Sequence, residues 1–379
     1  MARDRNAAPH PRSGWRIEAR LRTGMESIYW SITYACHRKC VHCYEDKFRP
    51  YVRNALGDVV GQTMQNWPRV LENLPEAMTY LDLEQPVAGG GWQERRGRII
   101  LSGGEVLIDA IREPALYPLL EALRERYADR GGVNVVVQTT GDLLTERIIH
   151  ELVDRGVWMI SVAGMDDFHV GLEGAKRDPL QARLIDWFEA AGMQRSGLQH
   201  QTRKWHEEEG PIFSFFGATP DAWIGRLWPR GRAWKNGLST ATMADNFCNR
   251  WSGGLGFLNH RYSGSEVAID AGGDVYPCCM KTRLPIGNLT EESLIGILDS
   301  LVGHPVYEAI NSGHPERMGL QHGWDLDTYI AKAQTVQPRG GEYRNLCIGC
   351  DRFHEEVLGP VIARIREERL GGVRRVAAE

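Results

Sequence analysis

Eight cysteines fall into three groups along the 379-residue chain: Cys36, Cys40 and Cys43, then Cys248, Cys278 and Cys279, then Cys347 and Cys350. They are too sparse for a disulfide scaffold, and clustering of this kind in a reducing compartment reads as metal ligation. In Cys36-His37-Arg38-Lys39-Cys40-Val41-His42-Cys43, three thiols share one short loop directly after an apolar run. Three thiolates can hold three irons of a four-iron cluster, and the open fourth iron can chelate an amine and a carboxylate. A zinc site that adds His37 or His42 to two of the cysteines is the other chemistry this spacing allows.

Such a loop needs strands to place it. Ile28–Tyr34, Arg98–Leu101, Val133–Val137, Val157–Val162 and Ile212–Phe216 read as strands, and the positions between them carry helical periodicity. Leu116, Leu119, Leu120, Leu123 and Tyr127 share one helical face; Leu144, Ile148 and Leu152 share another, stopped by Gly156. A further helix opens at Asp178-Pro179 and closes near Gly192. Strand–helix repetition with near-continuous apolar strands predicts an α/β fold, a parallel sheet covered by helices, with active groups at the strands' C-terminal ends. The alternation fails after about residue 240, where glycines and the remaining five cysteines gather. The expected organisation is an N-terminal arm (1–25), a core barrel (26–240), a metal-organised domain (241–355) and a charged C-terminal helix and tail (356–379).

The triad followed by Tyr44, together with Leu101-Ser102-Gly103-Gly104-Glu105 after the second strand, resembles the radical S-adenosylmethionine (SAM) superfamily. That resemblance implies a partial (β/α)6 TIM-type barrel and a [4Fe-4S] cluster on Cys36, Cys40 and Cys43. It also implies that SAM binds at Ser102, Gly103, Gly104 and Glu105, its amino group at the last three, although Val106 stands where a proline is frequent. Gln138 and Thr140 end the third strand and Ser161 lies at the end of the fourth, where similar proteins bind the ribose; Arg232, in Pro229-Arg230-Gly231-Arg232-Ala233, is expected to pair with the SAM carboxylate.

Ile269 through Cys278, with Ile286-Gly287-Asn288-Leu289 following, looks like the SPASM or twitch extension of that superfamily. Cys248, Cys278, Cys347 and Cys350 then supply four thiolates, enough for one auxiliary iron–sulfur cluster, expected as [4Fe-4S]; a four-cysteine zinc site has the same ligand set. Neighbouring residues of a strand face opposite sides, so Cys278 and Cys279 can hardly both be ligands. Cys279 is either a buried inert thiol or a hydrogen-atom donor to a substrate radical.

Asp166, Asp167 and His169 follow the fourth strand, where they are candidates to take a proton or bind an amine; a capping role is the other reading. Twelve tryptophans, among them Trp187, Trp205, Trp223, Trp228, Trp234 and Trp251, supply aromatic surface for a core or a substrate pocket. The expected activity is a radical SAM oxidoreductase that abstracts hydrogen from a peptide or small metabolite for dehydrogenation, crosslinking or epimerisation, with flavodoxin or ferredoxin as electron donor. The stretch before Cys36 is shorter than the leader-peptide-binding domain of many peptide maturases. A tRNA- or cofactor-modifying enzyme and a non-catalytic iron–sulfur or zinc scaffold are the alternatives. A net charge of −4 offers no basic stripe for nucleic acid. No run suits a membrane span or secretory signal, so a cytoplasmic protein is expected.

Overall fold

The computed structural model of the protein describes residues 24–87, 90–197, 208–219, 226–250 and 252–376. Residues 1–23 of the expected arm, and Trp205, Trp223 and Trp251, lie outside the described residues.

The chain runs β1 (Ser27–Thr33), α1 (Asn54–Glu72), the hairpin β2 (Thr79–Pro86) and β3 (Trp92–Arg96), and β4 (Arg98–Gly103). It continues through α2 (Asp109–Ile111), a π-helical turn into α3 (Tyr117–Tyr127), β5 (Asn134–Thr139), α4 (Glu146–Asp154) and β6 (Val157–Val162). After α5 (Asp178–Ala190) come β7 (Gln194–Arg195), β8 (Ile212–Phe215) and α6 (Gly231–Lys235). The C-terminal part holds β9 (Glu266–Ile269), β10 (Asp274–Tyr276), β11 (Gly287–Asn288), α7 (Leu294–Leu301), α8 (Pro305–Asn311) and α9 (Leu326–Lys332). The hairpin β12 (Gln334–Val336) and β13 (Glu342–Arg344) leads to α10 (Leu346–Phe353) and α11 (Gly359–Val376).

One open sheet takes the order β11-β10-β9-β1-β4-β5-β6-β8-β7. Every neighbouring pair from β9 to β7 is parallel, and β10 runs antiparallel to both its neighbours, β9 and β11. Helices pack against it through their apolar stripes: Leu119, Leu120, Leu123 and Tyr127 of α3 are buried, as are Ile148, Ile149 and Leu152 of α4. Thr145 caps α4 by accepting from the Ile148 amide, and Gly156 at φ +82° ends the turn beyond it. This is the parallel α/β arrangement of a partial barrel.

The sheet does not stop where the sequence alternation does. β9 adds in parallel beside β1, from Ser27 opposite Glu266 to Trp30 opposite Ile269. β9, β10 and β11 are four, three and two residues long, too short for periodicity to register. β10 ends at Tyr276, so Cys278 and Cys279 lie in the turn beyond it rather than on the strand expected, and Cys279 packs in a cluster with Tyr29 and Tyr44.

The charged C-terminal helix forms on the surface as expected, with one face turned inward. Its Val361, Ile362 and Ile365 pack against the core, and Arg369 pairs with the buried Glu292 at 2.5 Å. Among the described residues no helix is long and apolar enough to cross a membrane.

Candidate active site and auxiliary cysteine centre

The triad loop leaves the C-terminal end of β1 and is fastened from two sides. At the end of β4, the Gly104 amide donates to Thr33 O at 3.0 Å and the Glu105 amide to Ala35 O at 2.8 Å. A Cβ on Gly104 would stand 2.1 Å from Ala35 O, and one on Gly103 2.6 Å from Thr33 O, so only bare backbone fits this approach. From the other side Arg232 grips the loop: Nε donates to Cys40 O and Nη2 to Phe48 O, both at 2.8 Å, while Nη1 reaches Asp46 O and Glu45 O. Arg232 lines the cavity, yet its guanidinium is spent on these four carbonyls rather than standing free for a carboxylate as expected; it positions the loop.

Cys36, Cys40 and Cys43 line one cavity together with Ser102, Gly103, Gly104, Gln138 and Thr140. Gln138 accepts from the Tyr29 hydroxyl at 2.9 Å. Two of the expected residues do not line the cavity. The Glu105 carboxylate turns behind the cavity, accepting from the Leu107 amide, both Thr139 and Thr140 hydroxyls and the Thr140 amide, so it braces the end of β5. Ser161 is also outside the cavity lining, its hydroxyl 3.1 Å from that of Ser214.

The acidic loop after β6 divides by role. Asp167 points outward, bonded to the Gly174 amide and to Arg177 with its side chain 70% exposed, which removes it from the cavity. Asp166 is buried, but its oxygens already accept from the amides of Phe168, His169 and Ala218 and from His169 Nδ1 at 2.8 Å. Burial works against its charge, but the His169 bond and charge and the Ala218 amide hold its carboxyl well below the usual carboxylate range. Asp166 therefore orients His169, which lines the cavity. His42 stacks near Phe168 and meets His169 edge-on, and burial lowers its pKa to about 4.

Cys248, Cys278, Cys347 and Cys350 line a second, smaller cavity. Asn345 caps α10 by accepting from the Cys347 amide, and the three-residue spacing of Cys347 and Cys350 puts both thiols on one helical face. Asn246 accepts from the Cys248 amide and holds the turn opposite. Cys279 is absent from this lining and opens into the first cavity, beside the triad. Met280 lines both cavities, so the wall between them is one residue thick there. The sequence reading missed Tyr29, His42 and Met280 as cavity residues.

The donor sets fit iron–sulfur clusters better than zinc. Among the described residues, the only three ligating atoms within 4.8 Å of one another belong to His42, Asp166 and His169. No three thiols of either set lie that close, whereas the edge of a tetrahedron built on Zn–S bonds of about 2.3 Å is about 3.8 Å. His37, the other ligand of the zinc reading, has Nε2 2.7 Å from Asp142. Burial pushes the thiols of Cys36 and Cys278 up to about 12 and those of Cys43 and Cys347 to about 11, so cluster binding must expel their protons.

Comparison with known proteins agrees with these features. The family model described as the radical SAM superfamily matches residues 30–191, which hold the triad and the Gly103–Gly104 turn. The SPASM model, an iron–sulfur cluster-binding domain, matches residues 261–319, which hold Cys278 and Cys279. No curated protein matches the chain. Similar solved structures include BtrN in complex with AdoMet and 2-DOIA, at 15% identity and a TM-score of 0.41, covering 78% of this chain and 90% of that one. Native anSMEcpe with bound AdoMet is 12% identical with a TM-score of 0.39, covering 90% and 99%. SuiB of Streptococcus suis bound to S-adenosylmethionine is 13% identical with a TM-score of 0.38, covering 76% and 68%.

Proposed function

The chain belongs to the radical SAM superfamily and carries a SPASM iron–sulfur domain, and from that premise we propose a tailoring oxidoreductase that takes hydrogen from a peptide or small-metabolite substrate. Cys36, Cys40 and Cys43 would hold the SAM-binding cluster; Ser102, Gly103, Gly104, Gln138 and Thr140 would bind SAM beside it. Bound there, the cluster and SAM would supply, on one-electron reduction, the chemistry that removes hydrogen from unactivated carbon. Cys248, Cys278, Cys347 and Cys350 would hold one auxiliary cluster, of the [4Fe-4S] type. A flavodoxin- or ferredoxin-type protein is the proposed electron source.

The protein's own residues bind, orient and exclude water. Gly103 and Gly104 let the β4 turn close on the triad loop, and Arg232 fixes that loop from below. His169, its Nδ1 held by Asp166, keeps Nε2 as the ring nitrogen for a substrate proton. Tyr29, Tyr44, Phe48 and Trp228 give the cavity apolar walls that keep water from a reactive intermediate. Cys279, in the same cavity, would return a hydrogen atom.

The observation that carries this reading is that the triad, the Gly103–Gly104 turn and Cys279 from the SPASM region all open into one cavity. Its test is 5′-deoxyadenosine release from anaerobically reconstituted protein reduced with dithionite. Release supports the reading, and none from protein with its full iron complement overturns it.

A further inference from the structure

The segment that reaches the triad with Arg232 reaches the second cysteine set with Arg230. Arg230 lies among Cys248, Cys278, Cys347 and Cys350 and is the only charged residue, among those described, that lines their cavity. Its side chain is 11% exposed. Nη1 donates to Asp351 Oδ2 at 2.7 Å and to Pro229 O at 3.1 Å, and Nε donates to Met280 O and Lys281 O at 3.2 and 3.3 Å. Nη2 has no hydrogen bond among the described residues.

A buried guanidinium is costly unless anions compensate it. Asp351 supplies one, and four thiolates carrying a cluster supply more. When such a cluster takes up an electron its negative charge grows, and a fixed cation in a low-dielectric site favours that state over the oxidised one. Net charge around the cluster and hydrogen bonds to its sulfurs are the terms that set such potentials.

We propose that Arg230 raises the reduction potential of the auxiliary cluster, with Asp351 as the opposing charge that moderates it. This rests on the reading that the four cysteines carry an iron–sulfur cluster. The step concerned is uptake of one electron by the oxidised cluster from a low-potential donor, dithionite in the test, with no bond made or broken.

The experiment is an EPR-monitored redox titration of the full chain bearing Cys36→Ala, Cys40→Ala and Cys43→Ala, so that only the auxiliary signal remains. Into that background go Arg230→Gln and, separately, Asp351→Asn, each with its iron counted. The expected result is a lower midpoint for Arg230→Gln and a higher one for Asp351→Asn; mere loosening of the site would not move the two in opposite directions. An iron-loaded Arg230→Gln protein with an unchanged midpoint overturns the proposal, and so does an Asp351→Asn midpoint that falls. Should Arg230→Gln fail to load iron, the Asp351→Asn midpoint decides. A parent protein without auxiliary iron overturns the underlying reading instead, and the proposal with it.

Discussion

Cys278 and Cys279 are joined by one peptide bond yet open into different cavities, Cys278 among the other three auxiliary cysteines and Cys279 beside the triad. Substitution separates their roles. Cys278→Ala is expected to lose auxiliary iron, about four atoms per chain, whereas Cys279→Ala keeps both clusters and releases 5′-deoxyadenosine within about twofold of wild type. Iron counts on the two purified variants check this; equal loss from both would contradict the division.

The Glu105 carboxylate braces the end of β5. It accepts from two amides and two hydroxyls in a fully buried site. Gln at this position turns an NH2 toward donors, leaving buried groups unpaired at about 1–3 kcal/mol each. Thermal melts of Glu105→Gln should show a clear drop in Tm, and an unchanged melt would contradict the bracing role.

Arg232→Lys is not conservative here. Lysine keeps the charge but lacks the planar fork that reaches four carbonyls of one loop. The variant is expected to retain auxiliary iron and to lose at least half of the triad iron, read by Mössbauer spectroscopy. Full triad occupancy would show that the loop holds itself.

Gly104→Ala forces a methyl to within 2.1 Å of Ala35 O, a backbone atom that cannot yield without moving the triad loop. SAM cleavage should fall more than tenfold, while Asp167→Asn, on the exposed side of the loop after β6, should leave it within twofold. Matching losses in the two variants would contradict the placement.

The triad and the Gly103–Gly104 turn were legible because a ligand loop and a tight turn are local, and the long strands because their apolar runs are continuous. What escaped was set by distant partners. Nothing in Asp166-Asp167 says which acid turns inward; the Ala218 amide and His169 decide it. Arg232 reads as a free cation until carbonyls nearly two hundred residues earlier in the chain claim it. Cys278 and Cys279 diverge as expected, but in a turn beyond β10 rather than along a strand, where the Cys279 amide donates to Ser252 O, a partner no local pattern reveals. Helix α1 went unread, with Gly57, Gly61 and Pro68 inside it masking its period.

Anaerobic iron and sulfide content, measured alongside SAM cleavage for wild type and for the combined Cys36→Ala, Cys40→Ala and Cys43→Ala variant, tests the two-cluster radical mechanism most directly. About eight irons in wild type, about four in the variant and 5′-deoxyadenosine from wild type alone are the results expected. Zinc in place of iron, with no cleavage by wild type, would contradict it.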